Sequence, residues 1–140
     1  MYLVEEFFII TFDGIPLFTY SALEDVKTDL ISGFFSAIQK FAKQISDKSE
    51  DRFINSLALG NSVFNFLINK TYELYFISKS SKKISSSLIN NHLKEIERIF
   101  IEEYKLPLKN FEGEVSKFKS FTDTFETYFE NNFVKLKGMW

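Results

Sequence analysis

The chain has no cysteine, one histidine, two prolines and five glycines in 140 residues. Without cysteine there is no disulfide framework, no thiolate metal site and no thiol nucleophile. A single histidine, His92, leaves the familiar multi-histidine metal sites unfilled and offers little to acid–base chemistry, which needs a second positioned group. Arginine is confined to Arg52 and Arg98, and the formal net charge is −2 with a pI near 5.5. That balance argues against a nucleic-acid binder held by a basic field. The longer apolar runs, such as Phe7-Phe8-Ile9-Ile10, fall far short of the roughly 20 residues that span a bilayer. Glu5 and Glu6 stand where a signal peptide carries its apolar stretch, and there is no N-terminal myristoylation glycine and no C-terminal prenylation cysteine. The expectation is a soluble, cytoplasmic protein without membrane insertion. What the chain has in quantity is aromatic side chains: 18% of residues, among them 18 phenylalanines, so burial of rings must supply the stability. With 45% hydrophobic residues, the length suits one domain over 1–140.

The patterning alternates between strand and helix periods. Segment 3–12 ends at Asp13-Gly14 and is followed by a second apolar segment over 15–20, a strong hairpin signal. Phe8, Ile10 and Phe12 fall on one face of the first strand and Phe7, Ile9 and Thr11 on the other, so this strand is expected inside a sheet covered on both sides. Pro16 cannot donate to a ladder and puts the second strand at an edge. Over 26–45 the apolar residues recur at helical spacing and sweep an arc of roughly 200°, wider than a flat sheet covers. Gly33 inside this helix costs about 1 kcal/mol relative to alanine, and close approach to the sheet is the expected compensation. Three further strands, 52–59, 62–68 and 71–78, are separated by Gly60-Asn61 and Asn69-Lys70 and form a meander. A second helix begins at Ser85 as N-cap, with Ile84 and Ile89 as a hydrophobic staple, and is expected to stop at Leu106-Pro107. A third, amphipathic helix is expected over 115–136.

The order strand, strand, helix, three strands, helix, helix resembles the longin domain over nearly the whole chain. The resemblance includes Phe12-Asp13-Gly14-Ile15-Pro16 in the hairpin and Leu30-Ile31-Ser32-Gly33-Phe34-Phe35-Ser36-Ala37-Ile38 in the first helix. It extends to the stand-alone longin-like and roadblock-like proteins of archaea related to eukaryotes. The roadblock fold has an extra helix before its first strand, and the early first strand here favours longin. The resemblance implies an α+β, longin/profilin-like fold: a five-stranded antiparallel sheet in order 2-1-5-4-3, one helix on one face and two on the other. It also implies a non-enzymatic interaction module that pairs with itself or with another longin or roadblock protein and serves small GTPases or vesicle-trafficking complexes. A SNARE helix, which many vesicle-fusion longin proteins carry, is not found after the last strand and helices, so a fusion role is not carried over. The rival reading is a PAS- or GAF-like ligand sensor whose phenylalanines line a pocket; a roadblock-like GTPase regulator is the nearer alternative.

The residues that look chemical have plainer readings. His92 fits a packed rim histidine satisfied by a hydrogen bond, and Asp13-Gly14 and Gly60-Asn61-Ser62 fit turns and lack the further glycines and the lysine of a phosphate loop. Glu95, Glu97, Glu102 and Glu103 are interleaved with Lys94 and Arg98 as on a solvated helical face. Lys79, Lys82 and Lys83 fit a solvated loop, with peripheral contact to anionic lipid as the alternative. No catalytic residue, cofactor or metal is expected. The interaction residues are placed elsewhere. Phe35 lies at the edge of the wide helical arc and is assigned to a partner surface, with a packed domain edge as the alternative. The third strand is expected at the second sheet edge, and Phe53, Ile54, Asn55, Leu57 and Leu59 leave it without proline or charge after Arg52. Such an edge needs a cover, for which the same strand of a second subunit is the expected occupant, and proline at Asn55 is the expected way to disable it.

Overall fold

The structure, a computed structural model, describes residues 4–21, 28–45, 53–111 and 113–128. Strands β1 (Glu6–Thr11), β2 (Pro16–Ser21), β3 (Ser56–Leu59), β4 (Ser62–Asn69) and β5 (Leu74–Ser81) form one antiparallel sheet in the order β2-β1-β5-β4-β3. Helix α1 (Thr28–Ile45) follows the first hairpin; α2 (Ser86–Lys109), a 3-10 turn (Ser116–Phe118) and α3 (Phe121–Tyr128) follow the meander. The expected strand order and layers are those observed, with Pro16 opening the edge strand β2. Among the described residues no helix is long and apolar enough to cross a membrane.

Because side chains alternate along a strand, β1 feeds two cores. Phe8 and Ile10 join Phe35, Phe66, Tyr75 and Ile77 on the α1 side, while Phe7 and Ile9 join Phe76, Phe100, Phe121 and Phe125 on the side of α2 and α3. The rings fill space against one another. Phe125 stacks on Phe7 at 4.9 Å, and Phe121 meets Phe100 edge-on at 4.9 Å and Phe18 at 5.1 Å. This explains how the short helix α3 is held: its two fully buried positions are both phenylalanine, each in contact with several rings.

Several boundaries differ from expectation for identifiable reasons. The turn between β4 and β5 takes in Lys70 to Glu73, since the Asn69 side chain accepts the Tyr72 N–H at 2.8 Å and Glu73 adopts a left-handed φ of 55°, so β5 starts at Leu74. Ser85 occupies the N-cap of α2 and both staple isoleucines are buried, although its hydroxyl makes no capping bond. Pro107 does not stop α2. The helix runs to Lys109 with a kink at Tyr104, one residue beyond Glu103, whose carbonyl the proline ring displaces from the ladder. The third helix is preceded by the 3-10 turn and is described to Tyr128; the rest of the expected helix, 129–136, lies outside the described residues.

Glycine matters at the first hairpin. Gly14 has φ +90°, and a Cβ there would stand 3.2 Å from the Ser36 Cβ and 3.4 Å from the Ser32 carbonyl oxygen, so the turn rides directly on α1. Ser36 fastens it by donating to the Phe12 carbonyl at 2.7 Å. Gly33 is not the close-approach residue anticipated for it: it is exposed, and a Cβ built there meets nothing within 4 Å. Gly33→Ala is therefore expected to raise stability by about 0.5–1 kcal/mol, read as a higher urea midpoint. A lower midpoint would show that the outer side of α1 is constrained at this position.

Candidate interaction surface

The edge strand β3, Ser56–Leu59, is shorter than the sequence pattern indicates, and a helical side chain holds the backbone just before it. Gln39, fully buried on α1, donates its Nε2 to the Ile54 carbonyl and accepts the Ile54 N–H at Oε1, both at 2.8 Å. Its amide satisfies both backbone groups of Ile54, which lies before the ladder with β4 begins. Phe53 and Ile54 then pack against the α1-side core, with the Lys43 amine 4.9 Å and the Lys70 amine 5.7 Å from the centre of the Phe53 ring. Where β3 parts from β4, a cavity of about 310 Å³ opens among Phe53, Asn55, Phe66, Leu67, Ile68 and Lys70.

The remaining edge has a defined polarity. Asn55 accepts the Phe66 N–H at 2.9 Å, and Leu57 and Leu59 share its parity in the register with Phe64 and Ser62. In an antiparallel ladder the residues between these turn their N–H and C=O the other way. Ser56 and Ala58 thus present the free backbone groups, and both are exposed. Asn55 is exposed as well, but its carbonyl faces β4, so proline at Asn55 would remove no outward donor; the position to alter is Ala58. Leu57 is half-buried against the α1-side core, and Leu59 is 49% exposed.

The assignment of Phe35 to a partner surface does not hold. It is 1% exposed and touches Phe8, Phe64 and Phe66 at ring separations of 5.8, 5.2 and 5.4 Å. The face of α1 towards the sheet includes Ser32, Ser36 and Gln39, polar residues buried on the flank beside the Gly14 turn and Ile54. Their burial rotates the centre of the contact towards Phe35 and leaves the opposite end of the apolar arc uncovered. There Phe34 is 48% and Phe41 60% exposed, with exposed Ala37 between them. At 100° per residue these three form one stripe. The stripe connects to β3 through the core: the Phe34 ring lies 5.9 Å from that of Phe35, the Phe35 ring 5.2 Å from that of Phe64, and Phe64 pairs with Leu57.

The polar residues elsewhere are engaged structurally. His92 Nδ1 lies 2.9 Å from the Tyr128 hydroxyl, tying α2 to the end of α3. Burial lowers the pKa of this imidazole, and burial raises the Tyr128 phenol to about 12. Arg98 bridges Glu95 and Glu102 along the exposed face of α2. Glu97 accepts from Asn69 at 3.2 Å, and desolvation holds its carboxyl above the ordinary carboxylate value. Among the described residues no group of three or more histidine, aspartate or glutamate side chains converges as metal ligands would.

Neither protein-family models nor curated proteins match the sequence. Solved structures do. A chain of the mammalian SRP receptor structure is similar over 94% of this chain and 95% of its own length, with a TM-score of 0.62 and 12% identity. MglB from Myxococcus xanthus is similar over 71% of this chain and 85% of its own length, with a TM-score of 0.51 and 13% identity. At such identities the likeness concerns the fold, and it is the longin-type α+β fold that the order of elements resembles.

Proposed function

We propose that the chain is a non-enzymatic, cytoplasmic interaction module that pairs through the β3 edge and the adjoining Phe34–Phe41 stripe of α1 with a second longin-type chain, either its own copy or a related longin or roadblock protein. The observation that carries the reading is a sheet edge free of proline and charge beside two half-exposed phenylalanines. Natural proteins protect such edges, and β2 shows the usual device in Pro16, whereas β3 has none. The pair would form the platform for a small GTPase or a trafficking-type complex, a role supported by the resemblance of the topology to longin domains. The packing of the interior phenylalanines on one another supports this reading over the ligand sensor, which needs them around a void.

Ala58→Pro tests the pairing. The Ala58 N–H turns away from β4, so the ring removes an outward donor and leaves the inner ladder whole. Sedimentation equilibrium is expected to show a dimer for the natural chain and a monomer for the variant, with nearly the same denaturant midpoint. A natural chain that stays monomeric at high concentration and recovers no longin or roadblock partner would overturn the proposal. Titration against purified small GTPases in GDP- and GTP-analogue-bound forms tests the platform role.

A further inference from the structure

At the opposite edge of the sheet, and independently of the pairing at β3, we infer that β2 and the start of α3 form a docking groove for the C-terminal end of an extended peptide, an apolar last residue with its free carboxylate. The groove, of about 300 Å³, runs along the outer side of β2 and is walled by Val115 and Lys119. Its floor follows from a bulge. The register of β1 with β2 shifts between Ile9 and Ile10, whose partners are Phe18 and Pro16, so Leu17 is an extra residue in the edge strand. Leu17 and its neighbour Phe18 therefore both join the core on the α3 side, where a regular strand would have turned one of them towards α1. Two consecutive apolar side chains make a floor that one peptide side chain can cover.

The backbone of β2 sets how a chain can lie there. Phe12 donates to the Glu73 carbonyl, so the even-numbered residues of β1 turn their backbone towards β5, and Phe7 and Ile9 turn theirs towards β2. Their partners Tyr20 and Phe18 face inward, which leaves the N–H and C=O of Thr19 directed away from the sheet. Pro16 faces outward too but has no N–H. An incoming strand finds a donor and an acceptor at Thr19 and no donor at the Pro16 end, so a chain that terminates there forfeits nothing. Phe18 lies against Phe121 and Tyr20 against Phe125, each at 5.1 Å, so β2 and α3 run in the same sense and Lys119 stands at the Pro16 end of the groove. A strand added antiparallel to β2, the pairing used throughout this sheet, has its C-terminus at that end. Lys119 is exposed and forms no ion pair among the described residues, and its ammonium stands where such a chain places its terminal carboxylate. The peptide residue opposite Thr19 takes the backbone bonds, the next points its side chain over Leu17 and Phe18, and the carboxylate beyond it meets Lys119. Strand edge, apolar pocket and terminal charge together are the elements of peptide capture by β-strand addition.

Labelled peptides of alternating valine and threonine that end in valine, leucine or phenylalanine test the groove on the full chain by fluorescence anisotropy. Saturable binding is expected, with about a tenfold loss both for the same peptides carrying a C-terminal amide and for Lys119→Glu. Thr19→Pro removes the outward donor and is expected to abolish binding, while Thr19→Val, which keeps the N–H, binds as the natural chain does. In the natural chain the peptide should slow hydrogen exchange at the Thr19 amide, which contact through side chains alone does not do. If Thr19→Pro does not fold, the exposed Lys119→Glu and the exchange measurement carry the test. Equal binding of the amidated peptides, binding indifferent to Lys119, or no binding by any of the peptides overturns the proposal. Self-association of the natural chain that Lys119→Glu removes would give the groove to a second copy and overturns it as well. Ala58→Pro, altered at the far edge of the sheet, should bind the peptides like the natural chain, so failure here leaves the pairing at β3 untouched.

Discussion

Replacing Phe35 by alanine is expected to lower folding stability by about 3–5 kcal/mol, a large part of the margin of a domain this size. The ring is 1% exposed and fills the space between α1 and the sheet, touching Phe8 on β1 and Phe64 and Phe66 on β4. Its removal leaves a void bounded by three other rings on two strands, which cannot collapse without moving the sheet. The loss therefore combines transfer and cavity terms. A urea or thermal melt measures it, and loss of the near-ultraviolet aromatic signal at lower denaturant should accompany it. A change below about 1 kcal/mol would mean that α1 is held to the sheet by other contacts, chiefly Ser36 and Gln39, and that the ring is peripheral after all.

The contrast between Phe35 and its neighbour Phe34 shows where sequence reading stops. Strand and helix identities, the sheet order, the central place of β1 and the Ile84–Ile89 staple that opens α2 were legible, because each is a matter of period, capping and turn chemistry. The phase of α1 was not. An apolar pattern counts buried polar residues as solvent-facing, and here Ser32, Ser36 and Gln39 are all buried, two of them because they serve backbone groups of other segments. The apolar arc was read correctly and centred wrongly. Of the interaction residues taken from the sequence, Leu57 and Leu59 lie on β3, Asn55 borders it with its carbonyl turned inward, and Phe53 and Ile54 precede it and pack against the α1-side core, Ile54 held there by Gln39. The outward pair, Ser56 and Ala58, was within reach of the sequence: a two-residue turn at Gly60-Asn61 makes Leu59 and Ser62 a hydrogen-bonded pair, and counting back from it gives the parity. The bond from Gln39 to Ile54 had no such signal, since nothing in the pattern connects a helical glutamine to a backbone 15 residues later.

Substituting both Phe34 and Phe41 by serine should have the opposite profile from Phe35→Ala: folding weakened far less and association abolished. Phe34 is 48% and Phe41 60% exposed in the single chain, so serine forfeits only part of a ring's burial at each site and the unfolding free energy should fall by about 1 kcal/mol per substitution, well short of the Phe35→Ala loss. In the paired state the same two rings are the only large aromatic side chains that the outer stripe of α1 offers among the described residues. Aromatic anchors at the centre of an interface typically carry about 2 kcal/mol each. Loss of both, at about 4 kcal/mol per subunit before the symmetric copy is counted, weakens dissociation constants by roughly a thousandfold or more. Analytical ultracentrifugation over a wide concentration range reads this directly. The β3 edge alone, four residues long with two outward positions, is too small to hold a dimer against the freedom lost on association, so strand pairing and ring packing must act together. Dimers that persist in the double variant would place the interface elsewhere, for example against the apolar groove of about 300 Å³ between β2 and the 3-10 turn and α3, lined by Leu17, Phe18 and Val115. Monomers with only that modest loss of stability would locate the partner surface on the flank of α1 that the buried serines and Gln39 leave uncovered.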